Sequence, residues 1–268
     1  MPEPTAALAL RGVTLTADRP LVVVPVVTAG DAAERASEAV EAGADVVEWR
    51  IDLAYAVTDG GTDPARAELD GRTLDSVLAA LPAVVAACAG APLMVTWRTT
   101  SEGGAGEASP DAYVRLVGAV AAVDGVDLVD VEADHPAAAD ALAVAREAPA
   151  RPAVVLSHHD FDRTPAHREI VDRLAAMEDA GADVAKIAVT PRTTADVLAL
   201  LTATAERAAV ARVPLITMAM GTLGAPTRLV GGRFGSAATF ASLAASSAPG
   251  QLPLHSVRAT IDALAATG

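Results

Sequence analysis

A lone lysine, Lys186, stands in the middle of the apolar, β-branched run at 183–189, and every other member of the 20 Lys+Arg residues is arginine. Charged side chains are rarely buried without a partner or a task. Unlike a guanidinium, an ammonium can lose its proton and become a nucleophilic amine. We therefore interpret Lys186 as a candidate Schiff-base nucleophile in an enclosed site, with a paired structural lysine as the alternative.

The residues before Lys186 belong to a short template that occurs three times. The copies are Gly43-Ala-Asp-Val-Val-Glu48, Gly125-Val-Asp-Leu-Val-Asp130 and Gly181-Ala-Asp-Val-Ala-Lys186. Because the interior layers of an α/β barrel take side chains from alternate strands, we expect these three charged side chains to point inward at a similar height. Period-two alternation adds Arg50 and Asp52 to the face of Glu48, and Glu132 to that of Asp130. The alternative is that these charges face the outer helices.

Apolar strand-like runs alternate with amphipathic helices along the whole chain. We predict strands at 21–27, 45–52, 92–98, 128–132, 152–159, 183–189, 214–220 and 235–240. The helix before Lys186 is predicted to start at Thr164 and Pro165, and a glycine-rich passage precedes the last strand. Eight strands alternating with helices predict an α/β fold, a single (β/α)8 barrel over residues 1–268. Residues 1–20 form a lead-in that includes a possible hairpin at 8–16.

Composition narrows the class of protein. The net charge is −14 and aromatic residues make up 3% of the chain, so neither phosphate attraction nor base stacking favours a nucleic-acid partner. The single cysteine allows no intramolecular disulfide, and no apolar run reaches the ~20 residues of a membrane span. The start of the chain does not resemble a signal peptide. We expect a cytoplasmic protein that acts on a small-molecule substrate, without a nucleic-acid or membrane partner.

Several short motifs together resemble a known family, the type I 3-dehydroquinate dehydratases. They are Glu48-Trp-Arg-Ile-Asp52, Ser157-His-His-Asp-Phe161, Ala185-Lys-Ile-Ala188, Ile216-Thr-Met218, Arg228-Leu229, Phe234-Gly-Ser-Ala-Ala-Thr-Phe240 and Ser247-Ala-Pro-Gly-Gln251. The resemblance runs from the first core strand to Gln251. It implies a TIM barrel, usually a homodimer, that needs no metal or other cofactor. It also implies a lyase of the shikimate pathway, which converts 3-dehydroquinate to 3-dehydroshikimate by eliminating water through a lysine Schiff base.

The resemblance also implies a role for each matching residue. Lys186 forms the imine, His159 is the general base and acid, and Glu102 orients that histidine. The residues implied to bind substrate are Arg228 for the carboxylate, Glu48, Arg50 and Arg98 for the ring hydroxyls, and Ser247 and Gln251, which close over the site from a lid at 243–252. His158 stands where relatives often have asparagine. His158 and His159 leave the strand on opposite faces, so only one of them can face the barrel axis. The resemblance to the family motif favours His159 as the base, and we expect His158 to be solvated or to face a helix.

Three other functions would use some of the same residues. A class I aldolase also places a lysine on the sixth strand, but no glycine-rich phosphate cradle is evident here. A metal hydrolase could use His158 and His159 with the acids, although adjacent strand residues diverge and make poor joint ligands. A binding barrel without activity would have no need of the only lysine, Lys186.

Overall fold

The apolar runs form parallel strands in the computed structural model, which describes residues 6–56, 65–243 and 250–266. Most residues of the core strands are buried on both faces, as expected for a parallel sheet covered by helices. The described strands are β1 (Leu8–Leu10), β2 (Val13–Leu15), β3 (Leu21–Val26), β4 (Val46–Arg50), β5 (Ala67–Glu68), β6 (Leu93–Thr96), β7 (Gly106–Glu107), β8 (Leu128–Glu132), β9 (Ala153–Asp160), β10 (Val184–Val189), β11 (Leu215–Ala219), β12 (Ala238–Ser242) and β13 (Leu252–Pro253).

The sheet closes on itself. Neighbouring strands pair in the order β11, β10, β9, β8, β6, β4, β3 and β12, followed by the short β13. The ends of this order meet at a parallel bridge between Leu215 and Ser236, where Ala237 N donates a hydrogen bond of 2.7 Å to Leu215 O. The predicted (β/α)8 barrel is therefore confirmed.

Helices follow the core strands and cover the outside of the barrel. They are α1 (Ala32–Glu41), α2 (Ile51–Ala54), α3 (Gly71–Ala87), α4 (Pro110–Ala121), α5 (Ala138–Glu147), α6 (His167–Ala180), α7 (Thr194–Ala208), α8 (Gly221–Val230) and α9 (Leu254–Ala265). Local sequence sets some of their starts: Ser109 caps α4, and Thr193 with Asp196 forms a capping box on α7. Among the described helices, none is long and apolar enough to cross a membrane.

Two apolar cores hold the barrel together. The larger lies between the strands and the helices and includes Trp49 and Tyr113. The smaller lies inside the barrel, where Met94 and Leu128 pack with the hairpin residue Leu15. The hairpin β1–β2, predicted from the sequence, packs against this inner core. Apolar residues therefore fill the interior near the hairpin, and the charged inward side chains lie farther along the strands, toward their carboxyl ends.

The predicted first residue was wrong for one helix and for one strand. Helix α6 begins at His167 rather than at Thr164, and the buried Thr164 Oγ1 has no hydrogen-bond partner within the described ranges, so it caps nothing. The last core strand begins at Ala238 rather than at Gly235, which has a left-handed φ of 104° that a strand does not use.

Two stretches that were not predicted as helices are helical in the structure. The glycine-rich passage after the seventh core strand is largely helix α8, where Thr227 Oγ1 accepts a hydrogen bond of 2.9 Å from Ala219 N. Gly224 allows this close contact, because a Cβ atom there would lie 2.4 Å from the backbone of Ala219. The second core strand ends at Arg50, so Asp52 lies on α2 and not on the strand.

Candidate active site

Lys186 lies inside the barrel at the middle of β10. Its register partners are Ser157 on β9 and Ile216 on β11, and parallel partners point to the same side of the sheet. The residue is 4% exposed, with Nζ 3.1 Å from Asp130 Oδ2 and 4.9 Å from the centre of the Phe240 ring. The only amine side chain of this chain thus meets one carboxylate in a largely enclosed space.

Arg98 is the centre of a buried ion cluster that shares Asp130 with this lysine. Its guanidinium donates to Asp130 Oδ1 at 2.6 Å, to Glu132 Oε1 at 3.0 Å and to Glu102 Oε2 at 3.1 Å. Burial alone would lower the pKa of Arg98, but these carboxylates raise it above its usual value. Likewise, burial alone would raise the pKa of Asp130, yet Arg98 and Lys186 lower it to about 2. The Asp130 carboxylate is therefore ionised at any ordinary pH.

His159 is oriented by Glu102. Its Nδ1 lies 2.9 Å from Glu102 Oε2, and Glu102 belongs to a 3-10 turn, Thr100–Glu102, that follows the third core strand. Burial, and then the cations Arg98 and Lys186, lower the pKa of His159 well below 6.5. Burial raises the pKa of Glu102 to about 8, despite its contact with Arg98. Both shifts favour the neutral forms of the two groups. His159 Nε2 is free to act as a base in the tautomer that carries the ring proton on Nδ1 and donates it to Glu102 Oε2.

His158 faces the helix side of the sheet, which is one of the two positions predicted for it. It is in register with Ile187, a residue of the outer core, and its Nδ1 lies 2.9 Å from Asp134 Oδ2. Arg173 on α6 contacts the same carboxylate at 2.8 Å. Burial and then Arg173 lower the pKa of His158. Its Nδ1 also lies 3.9 Å from Glu102 Oε1, so Glu102 lies close to both histidines.

A pocket gathers nearly all the other predicted residues. It encloses about 510 Å3, including its open mouth, and is lined by Glu48, Arg50, Arg98, Glu102, Gly103, His159, Phe161, Lys186, Ala188, Met218, Met220, Arg228, Phe240 and Gln251. Arg228 comes from α8, is 2% exposed and lies with Nη1 3.4 Å from Met218 Sδ. Burial lowers the pKa of Arg228 to about 10. Ser247 lies outside the described residues.

Some supporting contacts were not predicted. Thr96 Oγ1 donates to Glu48 Oε1 at 2.9 Å, and Ser157 Oγ donates to Asp130 Oδ1 at 2.7 Å. Both polar residues lie two positions before a predicted site residue (Arg98 and His159) on the same predicted strand, so period-two alternation was the signal that could have found them. Arg98 itself was predicted to bind the ring hydroxyls of the substrate, but most of its N–H groups already donate hydrogen bonds to carboxylates.

One group of side chains has the composition of a metal site. Ligand atoms of Glu102, Asp134 and His158 lie within 4.8 Å of one another. The Arg173 guanidinium, however, lies 2.8 Å from Asp134 Oδ2 and 3.5 Å from His158 Nδ1. A cation therefore already neutralises this group, and a second, divalent cation would have to displace it.

Comparisons with known proteins agree with this geometry. Residues 21–267 match the family model described as type I 3-dehydroquinase. The chain is 39% identical over 260 residues to 3-dehydroquinate dehydratase of Lactiplantibacillus plantarum, covering 96% of this chain and 98% of the relative. It is 37% identical over 263 residues to the Klebsiella pneumoniae enzyme, covering 97% and 99%.

Solved structures lead to the same family. 3-Dehydroquinate dehydratase from Geobacillus kaustophilus superposes with a TM-score of 0.86 at 35% identity, covering 96% of each chain. The type I enzyme from Clostridium difficile gives a TM-score of 0.86 at 31% identity, covering 99% of this chain and 100% of its own. Since one family model spans nearly the whole sequence and these relatives match at full length, the chain belongs to the type I 3-dehydroquinase family.

Proposed function

We propose that this protein is a 3-dehydroquinate dehydratase that eliminates water from 3-dehydroquinate through an imine on Lys186. One observation carries the proposal: a buried amine, a histidine–carboxylate pair and a desolvated arginine line the same pocket. These are the three groups that the reaction requires, namely a nucleophile for the ketone, a proton carrier and a partner for the carboxylate. Family membership supports the same assignment.

The first step is imine formation. A neutral His159 takes the ammonium proton of Lys186, and the free amine attacks the ketone carbon to form a carbinolamine. His159 then returns that proton to the carbinolamine hydroxyl, which leaves as water while the nitrogen lone pair forms a protonated imine. Asp130, at 3.1 Å from Nζ, holds the amine in place and stabilises the positive charge of the imine. The positive nitrogen then withdraws electrons from the neighbouring carbon and acidifies its proton.

The second step is proton transfer at that carbon. His159 takes the proton on Nε2, while Nδ1 stays hydrogen-bonded to Glu102 at 2.9 Å. The electron pair of the broken C–H bond forms an enamine, which expels the β-hydroxyl. The imidazolium returns its proton to that hydroxyl, so water leaves and His159 is neutral again. Hydrolysis of the remaining imine releases 3-dehydroshikimate and restores Lys186. Because a neutral imidazole is needed at the start, its lowered pKa favours activity at and above neutral pH.

Binding in this proposal rests on the arginines and on Glu48. Arg228 pairs with the substrate carboxylate, for which a buried guanidinium is a strong partner. Arg50, held by Asp52 through two hydrogen bonds of 2.8 Å, and Glu48 contact the ring hydroxyls. Arg98 acts here mainly by fixing the acids around Lys186 and His159.

We extend the proposal to the assembly and setting of the enzyme. Residues 1–268 form one barrel domain with a lead-in at 1–20, and Gln251, which lines the pocket, contacts the bound substrate. The enzyme is a cytoplasmic homodimer of the shikimate pathway. Light scattering during size-exclusion chromatography should give about twice the 26.9 kDa chain mass. A monomer mass would overturn the dimer without affecting the chemistry.

Activity on the pure substrate tests the proposal. The purified protein should convert 3-dehydroquinate to 3-dehydroshikimate, whose conjugated double bond is followed by ultraviolet absorbance. Lys186→Met, which keeps the length of the side chain without the amine, should fold normally and show no turnover. Wild-type protein without activity would refute the proposed reaction, whereas an active Lys186→Met variant would refute only the imine.

A further inference from the structure

The two carboxylate oxygens of Glu102 have different surroundings. Oε2 contacts His159 Nδ1 at 2.9 Å and Arg98 Nη1 at 3.1 Å. Oε1 is buried and has no hydrogen-bond partner in the part of the chain that the structure describes. His158 Nδ1 lies 3.9 Å from Oε1, and a carboxylate oxygen of Asp134 lies within 4.8 Å of a Glu102 oxygen. The ring of His158 therefore closes the side of Glu102 that faces away from the pocket.

His158 is itself held in a fixed orientation. Its Nδ1 lies 2.9 Å from Asp134 Oδ2. Arg173 Nη1 in turn donates to Asp134 Oδ1 at 3.0 Å and to Asp134 Oδ2 at 2.8 Å. The His158 side chain is 12% exposed, so it has little room to move. Three elements thus meet at this ring: the end of β9, the loop after β8 and helix α6.

We propose that His158, supported by Asp134 and Arg173, is a positioning residue that keeps Glu102 in the orientation in which it binds His159. This inference rests on the proposed function, because it assigns to His158 a role in the reaction that His159 performs. Nothing in the mechanism above uses His158, Asp134 or Arg173.

The role follows from solvation and geometry. A carboxylate with one oxygen exposed to water is better solvated and can rotate, whereas the ring of His158 keeps water away from Oε1 and limits rotation. The charged groups around His158 are Asp134, Arg173, Asp160 and Glu102. Since burial and Arg173 keep this histidine neutral near pH 7, it acts there by filling space and by donating a hydrogen bond to Asp134.

Replacing His158 should move the pH profile in a definite direction. In His158→Ala, water reaches Glu102 and favours its ionised form; the carboxylate then raises the pKa of His159. The acid limb of kcat/KM against pH should shift upward by about half a unit. We expect kcat to fall ~10-fold, because small displacements of a catalytic group are costly, with KM within about twofold.

The conservative variant separates positioning from mere folding. In His158→Asn, the amide Nδ2 replaces ring Nδ1, keeps the bond to Asp134 and still covers Oε1. Its kcat and pH profile should stay close to those of the wild type. His255→Ala, at an exposed histidine on α9, is the matched control and should change neither quantity.

A double-mutant cycle tests whether His158 acts through Glu102. Glu102→Gln alone should lower kcat, and adding His158→Ala to it should cause no further loss, because the two residues share one effect. NMR titration of the His159 ring protons in the wild type and in His158→Ala measures the same coupling without any substrate. A raised His159 pKa in His158→Ala supports the proposal.

Each outcome decides one question. If His158→Ala leaves both kcat and the His159 titration unchanged, or if its loss simply adds to that of Glu102→Gln, His158 does not position Glu102. If the wild type fails to turn over 3-dehydroquinate, the proposed reaction is wrong, and the NMR titration still decides whether His158 and Glu102 are coupled.

Discussion

Arg228 offers a sharp test of how the substrate is held. The residue is 2% exposed, and it lies on α8 and lines the pocket that contains Lys186. The proposed partner is the substrate carboxylate. Arg228→Ala should therefore weaken substrate binding strongly while leaving the fold intact.

The structure gives the size of the effect. Burial lowers the pKa of Arg228 from 12.5 to about 10, which corresponds to ~3 kcal/mol of lost solvation for the cation. A carboxylate that pairs with this guanidinium returns at least part of that free energy. Truncation of one partner of a buried charge pair commonly costs ~2–5 kcal/mol. We expect kcat/KM to fall by ~10²-fold in Arg228→Ala, mostly through KM.

Steady-state kinetics on a small set of variants makes the assay specific. Arg228→Lys keeps the positive charge but cannot make a bidentate contact with a carboxylate, so it should recover only part of the kcat/KM that Arg228→Ala loses. Arg168→Ala on α6, where the side chain is 73% exposed, is the control and should match the wild type. The carboxamide analogue of 3-dehydroquinate, which has no carboxylate, should react at similar rates with the wild type and with Arg228→Ala.

Two results would contradict this reasoning. A KM for 3-dehydroquinate close to the wild-type value in Arg228→Ala would show that the carboxylate binds elsewhere. Equal losses with the acid and with its carboxamide would show that Arg228 acts on some other part of the substrate.

Three further predictions concern the buried charges. A carboxylate with a lowered pKa stabilises the folded state at pH values above its unfolded pKa. The pKa of Asp130 is about 2 instead of 3.8, so the free energy of unfolding should fall by ~2 kcal/mol as the pH falls from about 4 to about 2. Chemical denaturation of Asp130→Asn should not show this dependence on pH. Arg98→Ala leaves Asp130, Glu132 and Glu102 without their shared cation and should lower the free energy of unfolding by ~3–5 kcal/mol, whereas an unchanged Tm would show that the cluster is not stabilising. His159→Ala should lower kcat by ~10²–10⁴-fold yet still form the Lys186 imine; near-normal turnover would remove His159 as the base.

Much of the fold was predictable because it depends on local patterns. Apolar runs separated by capped helices led to the barrel, and the lone lysine with its repeated template led to the inward charges. The structure brings two of these charges together, with Lys186 Nζ 3.1 Å from Asp130 Oδ2. The errors arose where composition misleads: the glycine-rich stretch 221–230 is a helix, since packing of Thr227 and Gly224 against the end of β11 outweighs a weak helix propensity.

The unpredicted part of the site depends on distances across the sheet. Nothing local in the sequence brings Arg98 to Asp130 and Glu132 on β8, because that contact depends on how far the strands of the barrel are shifted against one another. Similarly, Asp134 and Arg173 are 39 residues apart along the chain, and only the three-dimensional arrangement places both beside His158. Period-two alternation indicated which face a residue takes, but not the partner that it meets there.

Trapping of the imine tests the central claim most directly. Sodium borohydride, added with 3-dehydroquinate or its product, should inactivate the enzyme by reducing the protonated imine to a stable secondary amine. Peptide mass spectrometry should then find one substrate-derived adduct, on the peptide that contains Lys186, and none in Lys186→Met. Turnover that survives borohydride, or inactivation with the adduct on another residue, would contradict the account.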